Sequence, residues 1–401
     1  MVFEYRHQPF KALYLAYQTI TTLLFRYPLW ALYYLFRRPR PTWTFSRSFK
    51  TALRRHEGNV FNKIGPPSLV GPNHKAIVQN LATPGIWIEP ILPPLLLGEI
   101  KTYAEQANVQ PIRIPGYWLH STSPSKTVPA YSPPTPGEKV IMALHGGAYT
   151  KLSAAPGADG TTNIVKGFLE HVPSVKRTFS VEYRLSIGEP YKPENPFPAV
   201  LIDALAGYVY LTKTAGFDPK DIIIEGDSAG ANLVLALTRY LVQYGADGAA
   251  LGLPPPPSAI ILLSPWADLG GSHNGPGTSH ELNAHSDFLA NKGEDGIGYS
   301  ARAFVQPFGE SFARTSPWIS PASLHIKDAS FAGFPPTFIN AGGAEKLLDA
   351  IKTLNLRMRQ SGVKVTYDEA PDGFHDYVGF DWFEPERTET LKRIAKWVEA
   401  N

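Results

Sequence analysis

The 401-residue chain contains no cysteine and no Asn-x-Ser/Thr acceptor. It can therefore form no disulfide and accept no N-linked glycan, and nothing in it marks a secreted glycoprotein. A large excess of one charge is also missing. Lys and Arg number 38 against 35 Asp and Glu, a formal net charge of +3, too small to suggest a nucleic-acid partner. No compact apolar core followed by a small-residue cleavage site occurs near Met1, so a signal peptide is not expected. There is no internal repeat. Hydrophobic residues make up 43% and charged residues 18%, ordinary for a globular protein, and 401 residues can bury one large core plus a lid.

Two short strings carry the chemistry. Gly226-Asp227-Ser228-Ala229-Gly230 has the G-x-S-x-G pattern of a nucleophile elbow, in which small flanking residues let a sharp strand-to-helix turn expose the serine hydroxyl. Asp221 to Glu225 reads as a short buried strand before it, and Ala231 to Leu237 as a helix after it. The second string, His145-Gly146-Gly147-Ala148, follows the strand-like run Lys139 to Leu144. Adjacent glycines let backbone N–H groups approach a developing oxyanion, each such donor supplying about 2.7–4 kcal/mol. The expected donors are Gly146, Gly147 and Ala229.

A serine hydroxyl needs a base, and the base needs a carboxylate to fix its tautomer. In this type of elbow the chain order is Ser, acid, His. His375, in the turn Asp372-Gly373-Phe374-His375-Asp376 after the strand-like Val363 to Tyr367, is the expected base. The acid belongs just past the strand Pro336 to Asn340, where Glu345 and Asp349 lie one helical turn apart and both could face the histidine. Glu345 is favoured because it is nearer the strand end, and Asp349 would then cap or pair near the helix start.

With these residues, Val109 to Asn401 resembles the hormone-sensitive-lipase-like branch of the α/β-hydrolase family. The likeness rests on the two strings, on Tyr183-Arg184-Leu185, on Phe197-Pro198-Ala199 with Asp203, on Ser264-Pro265-Trp266-Ala267-Asp268, and on Glu345 to Asp349 with His375. Many relatives have Asp-Pro at the acid position, where this chain has Glu345-Lys346. The resemblance implies a carboxylesterase or deacetylase that needs no cofactor, with Tyr183, Arg184, Asp203 and Asp268 as scaffold residues. It implies an α/β-hydrolase fold: a mostly parallel central sheet, helices on both faces, and a cap made by the N-terminal region and an insert before the seventh strand. Strand-like runs near Val140, Thr178, Ile222, Ala259, Thr337 and Val363 agree with that sheet.

The expected divisions are a membrane-associating segment or cap helix at 1–38, an N-terminal cap region at 39–108, core at 109–265, a cap insert at 266–335 and core again at 336–401. In the insert, a loop-like stretch to Gly298 precedes a helix around Ser300 to Phe308, and Trp266, Phe304, Phe308 and Trp318 are candidate pocket walls. His273, His280, His285 and Asp287 match no metal-site spacing, so no metal is expected.

Between Leu13 and Phe36 the only charge is Arg26, but polar residues and Pro28 dilute the run, which argues against a clean spanning helix. Its tyrosines and Trp30 suit headgroup depth, and Arg37, Arg38, Arg40, Arg47, Lys50, Arg54 and Arg55 follow with no acid before Glu57. A membrane surface is therefore an expected partner, beside a small apolar ester substrate. An intracellular location is expected, on a membrane such as the endoplasmic reticulum or otherwise in the cytoplasm. Two alternatives use the same scaffold: acyl transfer to an alcohol or amine through the same triad, and a catalytically weak ligand-binding receptor.

Overall fold

The computed structural model describes residues 3–65, 71–79, 83–129, 131–157, 159–289 and 298–401. Eight strands form one sheet: β1 Gly85–Ile88, β2 Ile114–His120, β3 Lys139–Leu144, β4 Val175–Val181, β5 Ile222–Asp227, β6 Ala259–Leu263, β7 Thr337–Gly342 and β8 Val365–Ala370. The helices are α1 Phe10–Thr21, α2 Tyr27–Phe36, α3 Phe45–Ile64, α4 Gly98–Gln106, α5 Asp159–His171, α6 Ala199–Val209, α7 Ala229–Ala249, α8 Ser279–Leu282, α9 Tyr299–Val305, α10 Gly309–Thr315, α11 Leu348–Gln360 and α12 Glu386–Ala400.

The sheet order is β1-β2-β4-β3-β5-β6-β7-β8. From β4 to β8 every neighbouring pair is parallel, whereas β1 and β2 are antiparallel additions at one edge. Sheets of this kind are buried on both faces, so their strands read as continuous apolar runs. In β5, Ile222 and Ile224 pack into one apolar cluster with α6 and α7, and Ile223 packs into the other with α5 and α12. β1 lies inside the stretch expected to be cap. Neither β1 nor β2 stands out in the sequence, because Gly85, Pro115 and Gly116 interrupt their apolar patterns, a composition tolerated near sheet edges.

Two buried ion pairs brace the fold around β4. The Arg184 guanidinium forks onto Asp203, with Nε 2.9 Å from Oδ2 and Nη2 2.8 Å from Oδ1. Its backbone N–H donates to Oδ2 as well, at 2.9 Å. Arg177 on β4 donates from Nε to Glu138 at 2.8 Å. The two scaffold residues expected at 184 and 203 are therefore one unit, joining the loop after β4 to the start of α6.

The insert packs inward more than it lines a pocket. Phe304 stacks on Tyr149 at 4.0 Å, and Trp318 donates its indole N–H to Glu99 at 3.0 Å. Both rings are buried, whereas Trp266 and Phe308 are partly exposed. Residues 290 to 297 of the loop-like stretch lie outside the described residues. Among the described residues no helix is long and apolar enough to cross a membrane, and no three potential ligands gather into a metal site. His273 is held instead by Asp268 at 2.9 Å and Thr353 at 2.9 Å.

Removing one partner of a buried ion pair leaves an uncompensated charge, which costs about 3–5 kcal/mol. Asp203→Ala is therefore expected to lower unfolding stability by about that much in urea titration; a loss below about 1 kcal/mol would remove the pair from the list of structural anchors.

Candidate active site

In a parallel sheet whose order reverses, the loops at the carboxyl ends of the two strands flanking the reversal part company and leave a crevice. Here the chain leaves β3 toward β4 on one side and later returns to β5 on the other. The strings singled out in the sequence follow β3 and β5, so the topology itself places them together.

Ser228 sits between β5 and α7 at φ 52° and ψ −113°, a conformation unfavourable for any residue with a Cβ. It is held on three sides. Its N–H donates to Leu263 at 2.9 Å, and its carbonyl accepts from Trp266 at 2.9 Å and Asn232 at 3.2 Å. A Cβ on Gly230 would strike the Leu144 and His145 carbonyls, so the turn closes only with glycine there.

His375 reaches this turn from the loop after β8. Its Nε2 is 2.9 Å from Ser228 Oγ, and its Nδ1 is 2.9 Å from Glu345 Oε2. Because a carboxylate only accepts, Nδ1 carries the proton in that contact. Glu345 is fully buried, and its Oε1 accepts the Gly342 N–H at 2.8 Å. Burial pushes its carboxyl upward, opposed by the bond to His375. Asp349 lies elsewhere: its Oδ2 accepts the Ser279 N–H at 2.7 Å while its own N–H donates to Ser279 Oγ at 3.0 Å. That is a reciprocal cap between α8 and α11, with no bond to the histidine.

The glycine loop differs from expectation at one donor. The Gly146 N–H is already given to Asp227 Oδ1 at 3.0 Å, and a Cβ at 146 would collide with that carboxylate. Gly146 thus holds the elbow to the loop and is not a free oxyanion donor. The backbone turns over at Gly147, Ala148 and Tyr149, with φ of 99°, 54° and 62°. No acceptor takes the N–H of Gly147, Ala148 or Ala229 among the described residues. Ala229 opens α7, where the first amides lack intrahelical partners and the dipole favours negative charge. Ala148 is the donor candidate missed in the sequence, where the eye rests on the two glycines.

Two further residues hold the loop. His145 stacks on Tyr183 at 4.2 Å, and burial lowers its pKa to about 4, so it stays a neutral donor from Nδ1 to the Gly146 carbonyl at 2.7 Å. Tyr149 donates to Asn232 on α7 at 2.7 Å. The N-terminal region supports the other two loops. Arg40 donates to the carbonyl of Gly343, beside Glu345, at 2.6 Å, and buried Trp43 donates its indole N–H to the Asp372 carbonyl, beside His375, at 3.0 Å.

Against known proteins, residues 141–379 match the family described as alpha/beta hydrolase fold. An acetyl-hydrolase of Streptomyces hygroscopicus is 28% identical over 256 residues, covering 64% of this chain and 73% of its own. An esterase of Acinetobacter venetianus is 29% identical over 266 residues, covering 65% and 74%. A solved hormone-sensitive lipase from a metagenome library superposes with a TM-score of 0.52 at 29% identity, covering 71% of this chain and 82% of that one. The chain belongs to the α/β-hydrolase family, in its hormone-sensitive-lipase-like branch.

A buried Nδ1–H donated to a carboxylate gives a far-downfield proton resonance. We expect that signal to be lost or moved strongly upfield in Glu345→Ala and kept in Asp349→Asn; its survival in Glu345→Ala would separate Glu345 from His375 in solution.

Proposed function

We propose that this chain hydrolyses carboxylic esters through an acyl-enzyme on Ser228, with His375 as base and Glu345 as its orienting acid. By class it is a serine carboxylic-ester hydrolase. The observation that carries the mechanism is the unbroken Oγ···Nε2, Nδ1···Oε2 chain, two contacts of 2.9 Å each inside a buried site. Ser228 Oγ–H gives its proton to Nε2 as Oγ attacks the ester carbonyl. The amides of Gly147, Ala148 and Ala229 take the developing oxyanion, and His375 returns the proton to the leaving alcohol. Water then enters by the same base, and the acid leaves. Acetyl or other short-chain esters of apolar alcohols are the proposed substrates, in keeping with the names of the relatives above.

The N-terminal rod formed by α1, a short wider turn and α2 supports docking on a lipid surface. Phe10, Leu13, Leu24, Leu29, Leu35 and Phe36 are all 60% or more exposed, and an apolar depression of about 500 Å³ is lined by Leu29, Trp30, Leu32, Tyr33, Phe36 and Arg37. An exposed apolar surface of this size marks an interaction site in a soluble fold. Arg40, Arg47 and Arg55 of the basic cluster expected to face lipid turn inward instead, while Lys50 stays exposed. Arg40 and Arg47 bond Asn283 and Glu386, Arg55 bonds the Asp287 and His285 carbonyls, and Lys50 lies over Trp382. The proposed docking is therefore mainly hydrophobic, each buried Leu or Phe contributing about 1.5–3 kcal/mol.

Two measurements check these readings. Turnover of p-nitrophenyl acetate, butyrate and decanoate is expected to fall by at least about 10³-fold in Ser228→Ala; equal activity of the two proteins would refute the mechanism. Sedimentation with phosphatidylcholine vesicles is expected to retain the protein at high salt, and to lose it in Leu24→Ser/Leu29→Ser/Phe36→Ser; release of the intact chain by salt alone would make the docking electrostatic.

A further inference from the structure

The resting geometry of His375 presents a conflict that the proposed reaction does not explain. If Nδ1–H goes to Glu345, a neutral imidazole offers only a lone pair at Nε2. Two oxygens crowd that lone pair: Ser228 Oγ at 2.9 Å and Asp376 Oδ2 at 3.0 Å. A hydroxyl can donate there, but an ionised carboxylate at this distance would face the lone pair with no proton between them. Either Asp376 carries a proton, or His375 does.

The surroundings of Asp376 make this contact its main one. It lies in left-handed backbone at φ 54°, which turns the carboxyl back onto the preceding ring. Its N–H donates to Ser264 Oγ at 3.0 Å, while buried Oδ1 has no partner among the described residues. The acidic groups acting on the imidazole are Glu345 from the loop after β7, Asp227 from β5 and Asp376 itself; Asp287 of the cap insert acts on Glu345 and Asp376, and Glu225 of β5 meets Asp227 and Asp376. The Arg55 guanidinium interacts electrostatically with Asp287.

We propose that Asp376 is a positioning residue that keeps a proton on Nε2 of His375 in the resting enzyme, and that this proton must leave to water before Ser228 can be activated. Once it has left, Nε2 accepts the Ser228 proton as Oγ attacks, and the imidazolium so formed lies between Glu345 and Asp376. Both carboxylates stabilise it until it protonates the departing alkoxide. The same contact thus makes the histidine harder to discharge and, once discharged, a stronger base. The charge balance agrees: burial alone would lower the His375 pKa, but Asp376 and then Glu345 reverse this and hold it well above its ordinary value. Burial raises the Asp376 carboxyl, and the charge and hydrogen bond of His375 oppose that rise, favouring the ionised carboxylate beside a charged ring.

The inference rests on the Ser228 mechanism proposed above, so the test separates the two. The pH dependence of kcat/KM would be measured for the intact chain, Asp376→Asn and Asp376→Gly, the glycine suiting the left-handed backbone. His375 would be titrated by nitrogen-15 NMR in Ser228→Ala with and without Asp376→Asn. The sign follows from the required deprotonation: activity rises as pH passes the histidine pKa, and losing a close opposite charge lowers that pKa by about one unit or more. Both variants should therefore gain activity at acid pH and lose it at alkaline pH, giving curves that cross the parent's. The NMR midpoint should fall in parallel. A merely structural role would lower activity at every pH without moving the limb. An unmoved limb together with an unmoved NMR midpoint overturns the clamp even if Ser228→Ala is inactive, whereas full activity of Ser228→Ala would overturn the mechanism beneath it.

Discussion

The backbone of Ser228 occupies a conformation that a residue with a Cβ adopts only under constraint, at a cost of order 1–3 kcal/mol. Three hydrogen bonds from outside the turn supply that constraint, two of them to β6 and the loop after it. β6 must therefore lie beside β5 for the serine to stand upright, and α7 must start at Ala229 for its first amides to stay unclaimed. The reversal of strand order next to β5 then brings the glycine loop from β3 to the other side of the hydroxyl. Much of the site follows from keeping that one residue in place.

Three carboxyl groups near the site have different duties because their neighbours differ. Glu345 meets Nδ1 and a backbone N–H, Asp227 ties the glycine loop to the elbow, and Asp376 crowds Nε2. Asp349, of the same chemistry and one turn from Glu345, is spent on capping a helix. In each case the partner at about 3 Å decides the role.

These differences also mark what could be read in the chain. The elbow, its strand and its helix are legible because strand burial, helix burial and a small-residue turn are all local properties. The parallel strands β3 to β8 are legible for the same reason. β1 and β2 are not, since Gly85, Pro115 and Gly116 break the apolar pattern and their pairing comes from distant chain. The choice of Glu345 over Asp349 followed from distance to the strand end, and the structure puts Glu345 against His375. The hydrogen bond that engages the Gly146 amide could not be foreseen, because it depends on which way the Asp227 side chain turns. Nor could the inward folding of Arg40, Arg47 and Arg55, whose partners lie more than 200 residues away in sequence.

The Arg40 and Trp43 contacts bear on how the molecule can be divided. A short, polar-flanked connection after Phe36 looks like a natural place to trim away the greasy rod and keep a freely dispersed catalytic body. A cut just beyond residue 43 would do more than shed the rod. It would strip the indole from beneath the histidine loop and the guanidinium from the Gly343 carbonyl beside Glu345. The exposed apolar rod and the contacts that support the Glu345 and His375 loops thus come within seven residues of Phe36, and the boundary between rod and core runs ahead of Arg40.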